Sequence, residues 1–306
     1  MDTSESDDIK DDIKRPGPVF LILLDGWGIA PVSEVNAMTL AKTPFILRSI
    51  KEYPAVILDS AVGELNNRYF SLGTGIKTES EDEQVQNDLS AVLSNLNLKQ
   101  LKIFDSERLA ALSYYFNGRR EEKAPLEDWS TITSASKKVS YDISLSTKKI
   151  FQEAIRAVKS ENYDFIVASC PILDYLAVSS EIKTVVEAVE MLDGALKKLA
   201  SEILDRNGVL VISSVHGNVE KMVDMTTDMP DNKMTNNPVP FIVISNAFKG
   251  RSISSQDAPG GDLSLLNPIG DLADIAPTII DIFGIDEVSK DDFSGKSLIS
   301  RERKDI

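Results

Sequence analysis

The feature that most constrains this chain is an alternation of two periodicities. Short β-branched or apolar runs, "PVFLILL", "AVILDSA", "YDFIVAS", "GVLVISSV" and "PVPFIVIS", are interleaved with helix-period segments. The latter include "TPFILRSIKEY", "EIKTVVEAVEMLDGALKKLASEILDR" and "DLADIAPTIIDIFG". Apolar runs of strand length read as strands buried on both faces, and the amphipathic stretches between them as covering helices. The pattern predicts an α/β fold: a doubly wound, mainly parallel sheet with helices on both faces. The helix near 181–206 carries Val185, Val189, Leu192, Leu196, Leu199 and Leu204 at helical spacing and stops near Asn207-Gly208, so its apolar stripe is core.

The 306 residues, 42% hydrophobic, suffice for a large core. Residues 1–15, "MDTSESDDIKDDIKR", are charged and lack aromatics, which predicts a disordered acidic tail; 16–298 form the predicted domain, and 299–306 a polar tail. Residues 76–100 read as a connection with one helix. The single cysteine, Cys170, rules out an intrachain disulfide and reads as a small core residue of a protein in a reducing compartment. "VFLILL" is too short to span a bilayer, and a cytoplasmic, membrane-free protein is expected. A net charge of −15, from 33 basic and 48 acidic residues, repels nucleic acid and anionic lipid.

Ligands of open α/β sheets sit outside the carboxyl ends of the strands, so ionisable residues that follow strands are site candidates. Three do: Asp25 after "VFLILL", Asp174 after "DFIVAS", and His216, the only histidine, after "VLVISS". Carboxylate and imidazole together suit a divalent ion such as manganese, magnesium or zinc. A turn histidine and a helix-capping aspartate are the structural alternatives for His216 and Asp174.

"LILLDGWGIAP" followed by "VNAMTLAKTPFILRSIKEYP" resembles the N-terminus of the cofactor-independent phosphoglycerate mutases of the alkaline phosphatase superfamily. "SERLAALSYYFNGRREEKAPLED", "SASKKVSYDISLS", "YDFIVASCPILDYLAV", "ISSVHGNVEKMVD", "TNNPVPFIVIS" and "LADIAPTIIDIFG" follow in that family's order, covering most of 18–298. The resemblance implies an alkaline-phosphatase-like fold, two metal ions, a transiently phosphorylated serine and a separate transferase domain. It implies that Asp25, Asp174 and His216 are inherited metal ligands.

The departures from the family pattern are as specific. Val178 stands for the histidine of Asp-Met-Val-Gly-His, Val215 for the aspartate of Asp-His-Gly-Asn, and Met234 for the histidine before Thr-Thr-Asn-Pro-Val-Pro. The serine loop is replaced by "YFSLGTG", where Ser71 is either the nucleophile's counterpart or a turn serine beside Gly73 and Gly75. Lys137 or Lys138 matches the family's active-site lysine, or is one of a solvated pair. Asp224, Asp228 and Asp231 follow His216, as substitute ligands or as an exposed acidic loop. The transferase domain is largely absent, only about thirty residues separating "YFSLGTG" from "FDSERLAAL".

Apolar residues cannot replace an ion's hydration shell, so a two-metal mechanism is not expected. The sequence predicts a degenerate, phosphoglycerate-mutase-like pseudoenzyme, glycolysis-related by descent, with one divalent metal or none. Its expected role is binding or regulation, with a small phosphorylated metabolite or a protein as partner. The alternative is an active phosphoryl-transfer enzyme, a mutase or phosphomonoesterase, with a reduced or substituted metal site.

Overall fold

The computed structural model describes residues 16–80, 82–133, 140–179, 181–224, 226–227, 229–231, 233–256, 258–285 and 293–299, without the side chains of 140–143 and 179. In chain order the elements are β1 (Val19–Leu23), α1 (Ala37–Leu40), α2 (Pro44–Glu52), β2 (Ala55–Leu58), α3 (Leu65–Thr74) and α4 (Leu89–Asn95). Next come β3 (Gln100–Asp105), β4 (Glu127–Ile132), α5 (Ser140–Ser160), β5 (Phe165–Ser169), α6 (Ile172–Ser179) and α7 (Ile182–Leu204). The chain continues through β6 (Val209–Ser213), β7 (Val223–Asp224), β8 (Met229–Pro230), β9 (Val239–Ile244) and α8 (Ile275–Ile282).

Seven strands form one sheet in the order β2-β9-β6-β1-β5-β3-β4. β1 pairs in parallel with β5 and β6, and β3 with β5 and β4; β9 runs antiparallel to both β6 and β2. The expected doubly wound, mainly parallel sheet is present. Alternation along β1 divides the core: Phe20 and Ile22 face a cluster with residues of α5, α6 and α7, while Val19, Leu21 and Leu23 face one with residues of α3, α4 and α8. All five residues of β1 are fully buried, as a central strand covered on both faces requires.

Helix α7 buries Val185, Val189, Leu192, Leu196 and Leu199 as its spacing predicts, and Leu204 packs partly buried against the same core. Its buried Asp193 accepts hydrogen bonds from Phe45 N at 3.1 Å and Ile46 N at 2.8 Å, satisfying donors at the start of α2. The connection at 76–100 contains α4, and Cys170 is a buried core residue whose thiol burial pushes up to about 12. Among the described residues no helix is long and apolar enough to cross a membrane. Residues 1–15 and 300–306, with the tails predicted there, lie outside the described residues, as do Lys137, Lys138 and Asp228.

Two strands escape the alternation rule. β3, "QLKIFD", carries Gln100 and Lys102, fully buried and hydrogen-bonded, beside the apolar Leu101, Ile103 and Phe104, and ends on the buried Asp105. β4, "EDWSTI", is a polar edge strand. "YFSLGTG" was expected as a loop and belongs instead to α3, which Gly75 closes in the left-handed conformation at φ 64°.

Candidate functional site

The sheet brings four strand ends together. β6, β1, β5 and β3 are adjacent and parallel, so the residues that follow them share one edge: His216, Asp25, Asp174 and Arg108. The first three loops are stitched by main-chain hydrogen bonds. Asp174 N donates to Asp25 O at 3.1 Å, Gly26 N to His216 O at 3.2 Å, and Asn218 N to Gly26 O at 3.0 Å. Gly26 makes this possible, since its φ is 98° and a β-carbon there would lie 2.8 Å from Asp174 N.

Glu220, 2% exposed, ties the loops after β1 and β6 to the segment before β9 through its carboxylate. It accepts from Asn218 N at 2.8 Å, Gly28 N at 3.2 Å, Asn237 Nδ2 at 2.9 Å and the Thr235 hydroxyl. Arg68 on α3 supports the loops at 215 and 235, with Nη1 3.4 Å from both Val215 O and Thr235 O and Nη2 2.5 Å from Asn236 Oδ1.

At the centre, Asp25 is fully buried, and one of its oxygens carries all of its side-chain hydrogen bonds. Oδ2 accepts from Tyr69 Oη at 2.5 Å and Arg108 Nε at 3.2 Å, with Ser169 Oγ at 3.4 Å. The Arg108 guanidinium also donates through Nη2 to Asp174 Oδ2 at 2.5 Å, so one cation spans both carboxylates. Burial alone would lower the Arg108 pKa; the carboxylates of Asp25 and Asp174 reverse this and hold it above the ordinary arginine value. Burial, and then the Asp25 charge, keep the Tyr69 phenol well above its usual range, so Tyr69 remains a donor.

Arg108 closes a 3-10 turn, Ser106–Arg108, in which the Asp105 carboxylate accepts from Glu107 N at 3.0 Å. Its guanidinium lies 5.4 Å from the Tyr175 ring centre, and a π-helical stretch, Ala111–Tyr115, follows. Sequence reasoning missed this residue because it missed β3. Read as a strand, "QLKIFD" would have marked Arg108 by the rule that marked Asp25.

The structure brings Asp25, Asp174 and His216 together, and Ser71 makes no hydrogen bond to any of them. Asp174 lies in the first turn of α6 rather than at its cap, and its Oδ1 accepts from Asn218 Nδ2 at 3.2 Å. His216 Nδ1 donates to Gly217 O at 3.0 Å, the only role open beside a carbonyl, and Nε2 stands 3.8 Å from Asp174 Oδ1. Ser71 is buried inside α3 and its hydroxyl has no hydrogen-bond partner, so it is not a turn serine. Val215 is fully buried, Met234 half-buried and Val178 exposed. Asp224 is held by Thr226 N at 2.9 Å, and Asp231 pairs with Lys221 at 2.8 Å.

These donors do not fit the metal centre that the resemblance implies. Both Oδ2 atoms are committed to Arg108, and among the described residues no group of three or more acidic, histidine or cysteine side chains is arranged to hold a metal. What remains among the described residues is a set of buried polar atoms without hydrogen-bond partners: Asp25 Oδ1, His216 Nε2 and Asn218 Oδ1.

Residues 17–287 match the family model of the Metalloenzyme superfamily. Curated relatives named 2,3-bisphosphoglycerate-independent phosphoglycerate mutase include that of Chloroflexus aurantiacus, 33% identical over 219 residues (71% of this chain, 38% of the relative). That of Clostridium novyi is 34% identical over 232 residues (75% and 42%). The chain thus spans roughly two fifths of the length of the curated relatives it matches. Among solved structures, a Leishmania mexicana phosphoglycerate mutase superposes with a TM-score of 0.79 at 13% identity, covering 95% of this chain and 98% of that one. An alkaline phosphatase superfamily protein from Vibrio parahaemolyticus superposes with a TM-score of 0.58 at 13% identity, covering 93% and 70%. At that identity the likeness is one of fold.

Proposed function

The chain belongs to the Metalloenzyme superfamily, and we propose that it is a phosphoglycerate-mutase-like member that has lost metal-dependent phosphoryl transfer and serves as a binding or regulatory protein. The observation that carries this reading is the Arg108 guanidinium bridging Asp25 and Asp174.

Phosphoryl transfer by two metals depends on divalent charge that activates the attacking oxygen and neutralises the transferring group. One guanidinium, already paired with two carboxylates, offers no open coordination position. Ser71, the serine weighed as a nucleophile, is buried and has no hydrogen bond to Asp25, Asp174 or His216. The short internal connection supports the same reading. Moving a phosphoryl group between two hydroxyls requires the substrate to be held while it re-orients, and the segment 76–100 is too short to supply a separate holding domain. A small phosphorylated metabolite or a protein partner is the proposed ligand of the loops that follow the parallel strands.

The test is turnover. A panel of phosphomonoesters including 2- and 3-phosphoglycerate, assayed with added manganese, magnesium or zinc, is expected to give no hydrolysis and no mutase product. Metal-dependent turnover lost in Asp25→Ala would overturn the reading in favour of a reduced-site enzyme.

A further inference from the structure

The chain running on from Asp25 forms one wall of a cavity of about 490 Å³. Its other walls are the connection between α1 and α2, the face of α2 that follows, and the 3-10 turns Pro259–Gly261 and Leu263–Leu265. The apolar lining is Trp27, Ile29, Ile46, Leu47, Ile50 and Leu263. Trp27, Ile46 and Leu263 are buried, whereas Leu47 is exposed, as is Val32, which also lines the cavity and is 72% exposed. Gly261 sets how closely the turn approaches α2. Its φ is 88°, and a β-carbon there would lie 2.6 Å from Leu47 Cδ1.

One cation belongs to the same lining. Lys42 is exposed, and among the described residues its ammonium has no carboxylate partner. Glu190 Oε1 accepts from the Lys42 main-chain N at 3.0 Å rather than from the ammonium. Asp262, also in the lining, turns Oδ1 to Ser264, accepting from its N at 2.9 Å and its hydroxyl at 2.7 Å. An apolar cavity with one unpaired cation is complementary to a molecule that is apolar and carries one negative charge.

We propose that this cavity binds a small apolar carboxylate, its hydrocarbon body against Trp27, Ile29, Ile46 and Leu263 and its carboxylate paired with Lys42. The volume lies within the roughly 300–1,000 Å³ of small-molecule sites, and the three walls make it concave rather than a flat docking face. Removal of hydrocarbon from water drives the binding, and Lys42 selects the sign of the head group. The inference is independent of the metal question, and neither turnover nor metal content bears on it.

The experiment titrates the full chain with octanoate, octanol and octylamine by calorimetry, and follows Trp27 emission in Trp129→Phe, where Trp27 is the only tryptophan left. Lys42→Glu and Leu47→Asp both fall on exposed positions and leave the core untouched. Octanoate should bind at ~1 equivalent, shift Trp27 emission and bind more tightly than octylamine. Lys42→Glu should weaken octanoate about fivefold and leave octanol unchanged, whereas Leu47→Asp should weaken both. Should Trp129→Phe not fold, wild-type calorimetry with the two surface variants decides.

An octanoate titration without binding overturns the proposal. Octylamine bound as tightly as octanoate overturns the anionic class of ligand. Binding that leaves Trp27 emission unchanged, or that is indifferent to both Lys42→Glu and Leu47→Asp, places the ligand elsewhere and likewise overturns it.

Discussion

The Tyr69 hydroxyl donates to Asp25 Oδ2 at 2.5 Å, and both residues are shut off from solvent. Burial, and then the Asp25 charge, raise the phenol well above its ordinary value of 10.0. A group whose folded pKa exceeds its unfolded one contributes stability that is complete below the unfolded value and is lost as pH rises towards the folded value. Wild type should therefore lose stability above pH 10 more steeply than Tyr69→Phe. The difference is one proton, ~1.4 kcal/mol per pH unit. Denaturation curves at pH 9, 10 and 11 measure it; parallel slopes would mean that Tyr69 ionises as freely in the folded chain as in the unfolded one.

Glu220 joins three loops through one carboxylate, accepting from Gly28 N, Asn218 N, Thr235 and Asn237. Glu220→Ala should cost about 3 kcal/mol, because several buried donors lose their acceptor at once. Hydrogen exchange at Asn218 and Gly28 should accelerate while exchange in α7 does not. A variant with unchanged exchange at these amides would show the loops to be ordered by the main-chain bonds around Gly26 alone.

Lys102 on β3 and Glu127 on β4 are fully buried, 3.2 Å apart, and Lys102 also donates to Leu112 O at 3.0 Å and to Asn117 Oδ1. Burial lowers the Lys102 pKa, and the Glu127 charge opposes it. Removing one partner leaves the other charge without its counterion, so Glu127→Gln or Lys102→Met alone should cost about 3–5 kcal/mol. The double variant Lys102→Met/Glu127→Gln should recover more than half of that loss. A double-mutant cycle measures the coupling, and purely additive losses would show that the two charges are screened from each other.

How far the sequence reveals this architecture depends on whether burial follows from apolarity. β1, β5, β6 and β9 are runs of apolar residues with every position buried, so they announce themselves and place Asp25, Asp174 and His216 at one edge. β3 is buried just as completely, but there Gln100 Nε2 donates to Ser90 and Ser94 and Lys102 to Leu112 and Asn117. No periodicity rule detects a polar residue whose partners lie six to fifteen residues away, outside its own strand. Losing β3 concealed Arg108, and with it the cation that bridges the two carboxylates. Ser71 was misread for a local reason. Gly73 and Gly75 look like turn residues, whereas Gly75 ends a helix that the preceding polar sequence does not advertise.

The most direct test of the account is a crystal structure of the wild-type chain grown with manganese, with anomalous scattering recorded at the metal edge. The account predicts guanidinium density between Asp25 and Asp174 and no anomalous peak beside them. A peak about 2.1 Å from His216 Nε2 and from an Asp25 oxygen, with Arg108 turned away, would contradict it.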